Sequence, residues 1–157
     1  SGCLAILAAL NFPNAQVDAV DLSPDALEVA RRNIGDYELA NRVQIIQSDL
    51  FTSLGNQRYN LITANPPYVN AKSMAALPPE YKREPKMALA GGDDGLDMIR
   101  TIIEQAKAYL QADGLLVVEV GHNRDALEAA YPALPFTWLE TSGGDQFVFK
   151  LDARELP

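Results

Sequence analysis

The sequence predicts an α/β protein with a mostly parallel β-sheet covered by helices on both faces. Short apolar strands alternate with helical segments along the chain, a pattern typical of parallel sheets. The last two predicted strands flank a short turn at residues 142–145, and such a hairpin indicates an antiparallel edge. The 157 residues are 48% hydrophobic and 22% charged, which suffices for one domain with a buried core.

The first half of the chain predicts two helices and three strands. Residues 1–11 are small and apolar on nearly all sides, so Cys3 is expected to be buried, and Pro13 bars continuation of the helix. The second helix begins at Ser23, a preferred capping residue, followed by Pro24, which suits a first helical turn. Its apolar face and closing glycine are Leu27, Ala30, Ile34 and Gly35, and the strands cover residues 16–20, 43–47 and 59–64.

The second half predicts a long irregular segment, two helices and three strands. Residues 66–95 are rich in proline and glycine, and long loops of this kind in a compact domain are usually functional or disordered. A helix is predicted over residues 96–110, with an apolar face at Ile99, Ile103, Ala106 and Leu110. Asp113-Gly114 is predicted to turn the chain into a strand. The later segments are a helix at 124–131 and strands at 115–120, 136–140 and 146–151.

Charge and composition weigh against several classes of function. The net charge is −8, whereas proteins that bind duplex nucleic acid unaided usually carry a basic face, so no direct DNA binding is expected. No apolar run approaches the roughly 20 residues of a membrane helix, so no membrane partner is expected. The single cysteine excludes an internal disulfide and a cysteine-rich metal site, and it suits a cytoplasmic protein.

Acidic residues follow the first two predicted strands, where ligands collect in parallel sheets. Asp21 can accept hydrogen bonds from both hydroxyls of a ribose; equally, it can be a carboxylate favoured by the adjacent helix dipole. Asp49 can accept an adenine amino group, with Leu50 or Phe51 packing on the ring. A turn-forming aspartate is the simpler interpretation of Asp49 alone.

The third predicted strand is followed by Asn65-Pro66-Pro67-Tyr68. An amide nitrogen is a poor nucleophile because its lone pair is shared with the carbonyl group. A site that methylates it must bind both N–H protons, and the Asn65 Oδ1 atom and the Pro66 carbonyl are suitable acceptors. The two prolines fix φ and preorganise these acceptors, and Tyr68 can lie against the planar amide. A simple strand stop is the alternative, but these four residues after an apolar strand favour a reactive site.

Two further features are weaker. Residues 91–95 (Gly-Gly-Asp-Asp-Gly) lack the lysine of a phosphate loop and the ligand pattern of a calcium loop, so a flexible turn before a helix is expected. His122 is the only histidine, and a loop residue is a simpler interpretation than a catalyst.

Across nearly its whole length the chain resembles the catalytic domain of the HemK/Prm glutamine-N5 methyltransferases. The matching segments are Ser1-Gly-Cys-Leu-Ala-Ile, Asp21-Leu-Ser-Pro-Asp-Ala-Leu, Ser48-Asp-Leu-Phe, Asn65-Pro-Pro-Tyr-Val, Glu84-Pro…Ala88-Leu-Ala-Gly-Gly…Asp94-Gly-Leu-Asp and Glu119-Val-Gly. The resemblance implies a Rossmann-like class I fold, with residues 1–157 as a single catalytic domain. Only Ser1-Gly2 matches the end of the family's glycine-rich loop, which implies a fragment without the first central strand.

The resemblance also implies a cofactor, a substrate and site residues. S-adenosylmethionine would donate the methyl group and leave as S-adenosylhomocysteine, with no metal. Gly2, Asp21, Asp49, Leu50 and Asn65 would bind the cofactor. The catalytic residues would be Asn65, Pro66 and Tyr68, and these with Pro67 would bind the substrate.

Residues 77–85, 131–140 and 143–145 resemble the PrmB branch, whose members methylate a glutamine of large-subunit ribosomal protein three. One departure is His122-Asn123, where that pattern has Asn-Ser. The first alternative is the PrmC/HemK branch, which acts on peptide chain release factors. Adenine-N6 DNA methyltransferases share Asn-Pro-Pro-Tyr and are a second alternative, and an inactive nucleotide-binding module is a third.

Overall fold

The computed structural model describes residues 1–70, 74, 89–142 and 146–157. Within these residues the chain divides into two compact units, Ser1–Gln57 and Arg58–Pro157. Segments 77–85 and 143–145, which contribute to the PrmB resemblance, lie outside the described residues. None of the helices in the described ranges combines the length and apolar character needed to cross a membrane.

The first unit alternates helix and strand. Its elements are α1 (Cys3–Asn11), β1 (Val17–Asp21), α2 (Pro24–Asp36) and β2 (Val43–Gln47). The two strands pair in parallel, in a register that runs from Val17 opposite Val43 to Asp21 opposite Gln47. The core comprises Ala5, Ile6, Ala9, Ala30, Ile34, Leu39 and Val43.

The first helix is buried along one stripe only, which corrects the expectation that it packs on nearly all sides. Ala5, Ile6 and Ala9 are buried, whereas Leu4, Leu7 and Leu10 are about half exposed. Cys3 is also exposed, so the prediction that it is buried was wrong. It precedes Leu7 by four residues and therefore lies on the exposed stripe of the helix.

The second helix follows its sequence signals closely. The Ser23 hydroxyl accepts a hydrogen bond from the Ala26 amide, and Pro24 occupies the first turn. The predicted apolar face of Leu27, Ala30 and Ile34 is buried. The helix does not close at Gly35 but continues to Asp36, and the left-handed conformation falls on Glu38, with φ of 58°.

In its described residues, the second unit contains a four-stranded mixed sheet and two α-helices. Its elements are β3 (Tyr59–Ala64), α3 (Asp97–Tyr109), β4 (Leu110–Glu119), a 3-10 turn (Gly121–Asn123), α4 (Arg124–Ala130), β5 (Thr137–Leu139) and β6 (Val148–Asp152). The strand order is β3-β4-β6-β5. β3 and β4 are parallel, and β6 is antiparallel to both β4 and β5, so the predicted C-terminal antiparallel hairpin is confirmed.

Strand β4 begins earlier than the sequence predicted. Asp113-Gly114 was expected to turn the chain into a strand at 115–120, but β4 already pairs at Leu110, opposite Tyr59. The register then shifts, so that Leu61 pairs with Leu115. Gly114 lies in this irregularity, where a Cβ atom would be 2.9 Å from the Tyr59 carbonyl oxygen. The residues that had predicted a turn therefore lie in an irregularity of the β3–β4 pairing.

The core of the second unit lies between α3 and the sheet. Of the predicted helical face, Ile99, Ile103 and Ala106 lie on α3 and are fully buried. The fourth residue, Leu110, is buried but is the first residue of β4, so its prediction as helical was wrong. Leu116 and Val118 of β4 and Phe149 and Leu151 of β6 are fully buried as well. This packing anchors the sheet strands whose ends carry the candidate site.

Candidate active site

Asp21 is the last residue of β1 and lies opposite Gln47 at the end of β2. Its side-chain Oδ1 atom accepts a hydrogen bond from the Ser23 amide at 2.9 Å, and its carbonyl accepts one from the Ser48 amide at 3.1 Å. The residue is exposed. Because β1 and β2 are parallel and in register, Asp21 and Asp49 follow the same sheet edge, as the sequence predicted.

The turn after β2 presents Asp49 and Leu50. Asp49 is exposed, and its carbonyl accepts a hydrogen bond from the Thr52 amide at 3.1 Å. Leu50 is half-buried with φ of 47°, a conformation that costs a side-chain-bearing residue about 1–3 kcal/mol and is found at functional sites. Phe51 is buried in the core, so of the two side chains expected to pack on a ring, only Leu50 is accessible.

Gly2 precedes the first turn of α1 and has φ of 73°. A Cβ atom at this position would be 3.0 Å from the Ala30 Cβ atom of α2. Glycine therefore allows the start of α1 to approach α2 closely, which is a structural reason for this residue.

The sequence Asn65-Pro66-Pro67-Tyr68, called here the reactive loop, directly follows β3. Asn65 is exposed, Pro66 is buried, and Pro67 and Tyr68 are half-buried. The Tyr68 hydroxyl donates a hydrogen bond to the Glu119 Oε1 atom at 3.2 Å. The Tyr68 carbonyl accepts one from the Asn123 Nδ2 atom at 2.7 Å. The exposed amide of Asn65 is thus followed by a tyrosine that is bound both at its side-chain hydroxyl and at its backbone carbonyl.

Residues 89–97 support the reactive loop from a second direction. The Val69 amide donates to the Leu89 carbonyl at 2.8 Å, and the Gly91 amide donates to the Val69 carbonyl at 2.9 Å. These bonds form an isolated parallel bridge between Val69 and Ala90. A Cβ atom at Gly91 would lie 2.8 Å from both the Pro67 carbonyl oxygen and the Tyr68 Cα atom. The segment expected to be only a flexible turn before a helix is therefore packed against the loop.

An ion pair fixes the same segment to helix α3. Asp94 Oδ1 accepts hydrogen bonds from the Leu96 amide and from the Arg100 guanidinium, both at 3.0 Å. The Arg100 guanidinium holds the pKa of the Asp94 carboxyl group below its ordinary value. Across the described ranges, no group of three His, Cys, Asp or Glu side chains is arranged to hold a metal ion.

Sequence comparisons match this chain to methyltransferases. Residues 1–77 match the family model of the methyltransferase small domain. A ribosomal protein uL3 glutamine methyltransferase from Neisseria gonorrhoeae is 60% identical over 156 residues, which are 99% of this chain and 52% of that protein. The protein of the same name from Burkholderia pseudomallei is 57% identical over 164 residues, covering 100% of this chain and 53% of its own length. Over nearly its whole length the chain is similar to these glutamine methyltransferases, and its first 77 residues match the methyltransferase small domain. It spans about half the length of these curated relatives.

Solved methyltransferase structures share the fold at low sequence identity. A methyltransferase from Pyrococcus furiosus superimposes with a TM-score of 0.69 at 16% identity, over 98% of this chain and 70% of that one. TrmN from Thermus thermophilus superimposes with a TM-score of 0.64 at 20% identity, over 95% of this chain and 40% of that one. The predicted Rossmann-like class I methyltransferase fold is confirmed.

Sequence reasoning missed the residues that hold the reactive loop in place. Glu119 and Gly121 belong to a motif that carries the family resemblance, and no role was predicted for either. Asn123 stood out only as a departure from the branch pattern. His122 is exposed and packs edge-on against Phe147, with ring centroids 4.6 Å apart, which agrees with its interpretation as a loop residue.

Replacing Gly91 with alanine is expected to destabilise the protein by about 1–3 kcal/mol, because the new methyl group meets three backbone atoms that cannot move independently. Thermal unfolding followed by circular dichroism measures the loss. Gly35 is the matched control: it is helical, and no atom lies within 4 Å of the position that a new methyl group would take, so Gly35→Ala should stabilise by about 0.5–1 kcal/mol. Equal melting temperatures for the two variants would contradict the packing of residues 89–97 on the loop.

Proposed function

We propose that the protein carrying this chain transfers a methyl group from S-adenosylmethionine to a glutamine side-chain nitrogen of a protein substrate, namely large-subunit ribosomal protein three. The observation that carries the proposal is the reactive loop: the exposed amide of Asn65 is followed closely by Tyr68, whose carbonyl is held by Asn123 and whose hydroxyl is held by Glu119. The family relationship and the names of the relatives support the same substrate class. Residues 1–157 would act as one catalytic domain.

The loop supplies what amide methylation requires. The Asn65 Oδ1 atom and the Pro66 carbonyl would each accept one N–H proton of the glutamine amide, which fixes the nitrogen and turns its face toward the methyl donor. Two successive prolines restrict φ, so little entropy is lost when these acceptors bind the substrate. Pro67 and Tyr68 complete the binding surface, and the Tyr68 ring would lie against the planar amide.

In this proposal the amide nitrogen forms a bond to the methyl carbon as the carbon–sulfur bond breaks, and the acceptor amide then gives a proton to solvent water. Amide nitrogen becomes much more acidic once it has gained a methyl group, because it then carries a positive charge. Hydrogen bonds to Asn65 and Pro66 stabilise that developing positive charge, since both acceptors present partial negative charge to the nitrogen. No general base has to be assigned among the described residues.

The cofactor site requires acceptors for hydroxyl and amino groups, and the carboxyl edge of β1 and β2 provides them. Asp21 and Asp49 are exposed there and would bind the ribose hydroxyls and the adenine amino group. Leu50 would pack on the adenine ring, Gly2 would contact the methionine part, and Asn65 would be a further cofactor-binding residue. S-adenosylmethionine supplies a methyl carbon that the neighbouring sulfonium makes electrophilic, and S-adenosylhomocysteine is the product.

Competition between acceptors tests the substrate. The protein, expressed at the length of its natural gene, is incubated with labelled S-adenosylmethionine and equal amounts of large-subunit ribosomal protein three, a release factor and duplex DNA. We expect label on the ribosomal protein alone, because specificity is a difference of affinities and the net charge of −8 opposes DNA binding. Mass spectrometry should place the methyl group on a glutamine side chain.

Each other outcome points to one alternative. Label on a release-factor glutamine would move the protein to the PrmC/HemK branch, and label on adenine would replace the amide reaction with base methylation. Absence of label, with cofactor binding intact, would indicate a nucleotide-binding module without turnover. A ribosomal substrate is consistent with a cytoplasmic location, which is part of the proposal.

A further inference from the structure

The side chain of Asn123 binds the reactive loop instead of capping its own helix. Asn123 occupies the capping position of α4, but its side chain accepts no hydrogen bond from that helix. Its Nδ2 atom donates to the Tyr68 carbonyl at 2.7 Å and lies 3.4 Å from the Gly95 carbonyl. Asparagine at this position ordinarily accepts a bond from the first helical turn. The Asn123 amide group therefore binds the loop, and it makes no capping hydrogen bond to α4.

Glu119 and Gly121 contact the side chain of Tyr68. Glu119 is the last residue of β4, and its carboxylate accepts the hydrogen bond from the Tyr68 hydroxyl. A Cβ atom at Gly121 would lie 2.5 Å from the Tyr68 ring, so the ring packs directly on the Gly121 backbone. Tyr68 is consequently bound at its hydroxyl, at its ring and at its carbonyl by residues of one short segment, 119–123.

We propose that Glu119 and Asn123 are positioning residues for methyl transfer, an inference that rests on the proposed function. Asn123 fixes the backbone of the reactive loop, and Glu119 fixes the rotation of the Tyr68 ring. The carbonyls of Tyr68 and Gly95 are both acceptors, so the Asn123 amide must present its NH₂ group to them and not its oxygen. Neither residue has to touch the substrate: each keeps the acceptors Asn65 Oδ1 and Pro66 carbonyl aligned with the amide.

Variants at position 123 separate positioning from folding. Asn123→Asp has the same shape but presents a carboxylate to two carbonyl oxygens, so it repels the loop that asparagine binds. Because a misplacement of about 1 Å can cost roughly 10²-fold in rate, we expect kcat to fall roughly 10- to 100-fold. Affinity for S-adenosylhomocysteine, measured by calorimetry, should stay unchanged. Asp125→Ala is the matched control: it is exposed on the same helix and should leave kcat unchanged.

A double-mutant cycle tests the contact between Tyr68 and Glu119. Tyr68→Phe and Glu119→Leu should each lower kcat, and the double variant should be no slower than the slower single variant, because both remove the same hydrogen bond. Glu119→Gln retains an acceptor oxygen and should restore most of the rate. Additive losses in the cycle, or no rescue by glutamine, would show that Glu119 acts through something other than Tyr68.

Hydrogen exchange distinguishes failure of this inference from failure of the proposed function. The amides of Val69 and Gly91 form the bonds between the loop and residues 89–97, and they should exchange faster in Asn123→Asp than in the parent protein. If exchange is faster in Asn123→Asp but the parent protein methylates no glutamine, the loop contact is retained and the proposed reaction is rejected. Unchanged exchange together with unchanged kcat would overturn the positioning role in an active enzyme.

Discussion

Replacing Asn65 with alanine is expected to lower the rate of glutamine methylation by roughly 10²–10³-fold, the effect of losing one preorganised hydrogen-bonding group. Asn65 is exposed immediately after β3, so its truncation removes a substrate acceptor without opening a cavity. Affinity for the cofactor should change much less than the rate, because the ribose and the adenine bind elsewhere in the proposal and Asn65 makes only one of the cofactor contacts. A quantitative methyl-transfer assay under single-turnover conditions measures the chemical step directly.

Asn60→Ala is the matched control for this variant. Asn60 lies on the strand that precedes the loop, is exposed and carries the same side chain. Asn60 belongs to the strand and not to the reactive loop, so the Asn60→Ala variant should methylate glutamine at the rate of the parent protein. Near-normal turnover of Asn65→Ala would remove Asn65 from the mechanism, whereas equal losses in the two variants would indicate a nonspecific effect on β3.

Local signals in the sequence predicted much of the fold. The bounds of β2 and β3 agree with the prediction, since turn-forming residues flank both apolar runs. The capping serine and the proline set the start of α2. These features depend on residues a few positions apart, which is the range over which hydrophobic periodicity and turn chemistry act.

The differences between the predicted and the observed fold come from interactions between distant segments. The early start of β4 depends on pairing with β3, about fifty residues away, which overrides the turn signal of Asp113-Gly114. Cys3 is exposed because only one stripe of α1 meets the core. An entirely apolar helix does not reveal from its sequence which side is buried.

In the candidate site as well, the order of the elements predicted some features, whereas contacts between distant segments were not predicted. Parallel pairing brings Asp21 and the turn at Asp49 to one sheet edge, and the order of the strands was enough to predict this. The contacts that hold Tyr68 come from Glu119 and Asn123, 51 and 55 residues further along the chain. Nothing in the local sequence around Asn123 distinguishes a side chain that caps its helix from one that binds a loop.

Replacing Asp21 with alanine is expected to weaken the binding of S-adenosylmethionine and S-adenosylhomocysteine by the same factor, since both present the same ribose. Loss of charge-assisted hydrogen bonds worth about 1.5–3 kcal/mol corresponds to a roughly ten- to a hundred-fold lower affinity. Calorimetry with each ligand, on the protein at its natural length, gives the two dissociation constants.

Two companion variants separate ribose binding from support of helix α2. Asp21→Asn keeps an oxygen that can accept the hydrogen bond from the Ser23 amide, so it should preserve the turn. It should still weaken the binding of both S-adenosylmethionine and S-adenosylhomocysteine. Asp25→Ala removes an exposed carboxylate from the first turn of the same helix; it should cost a fraction of a kcal/mol in stability, within the ~0.3–1 kcal/mol of the dipole effect, and leave both affinities unchanged. If Asp21→Ala lowers only the melting temperature, as Asp25→Ala does, then Asp21 supports the helix and the ribose must be bound by another residue.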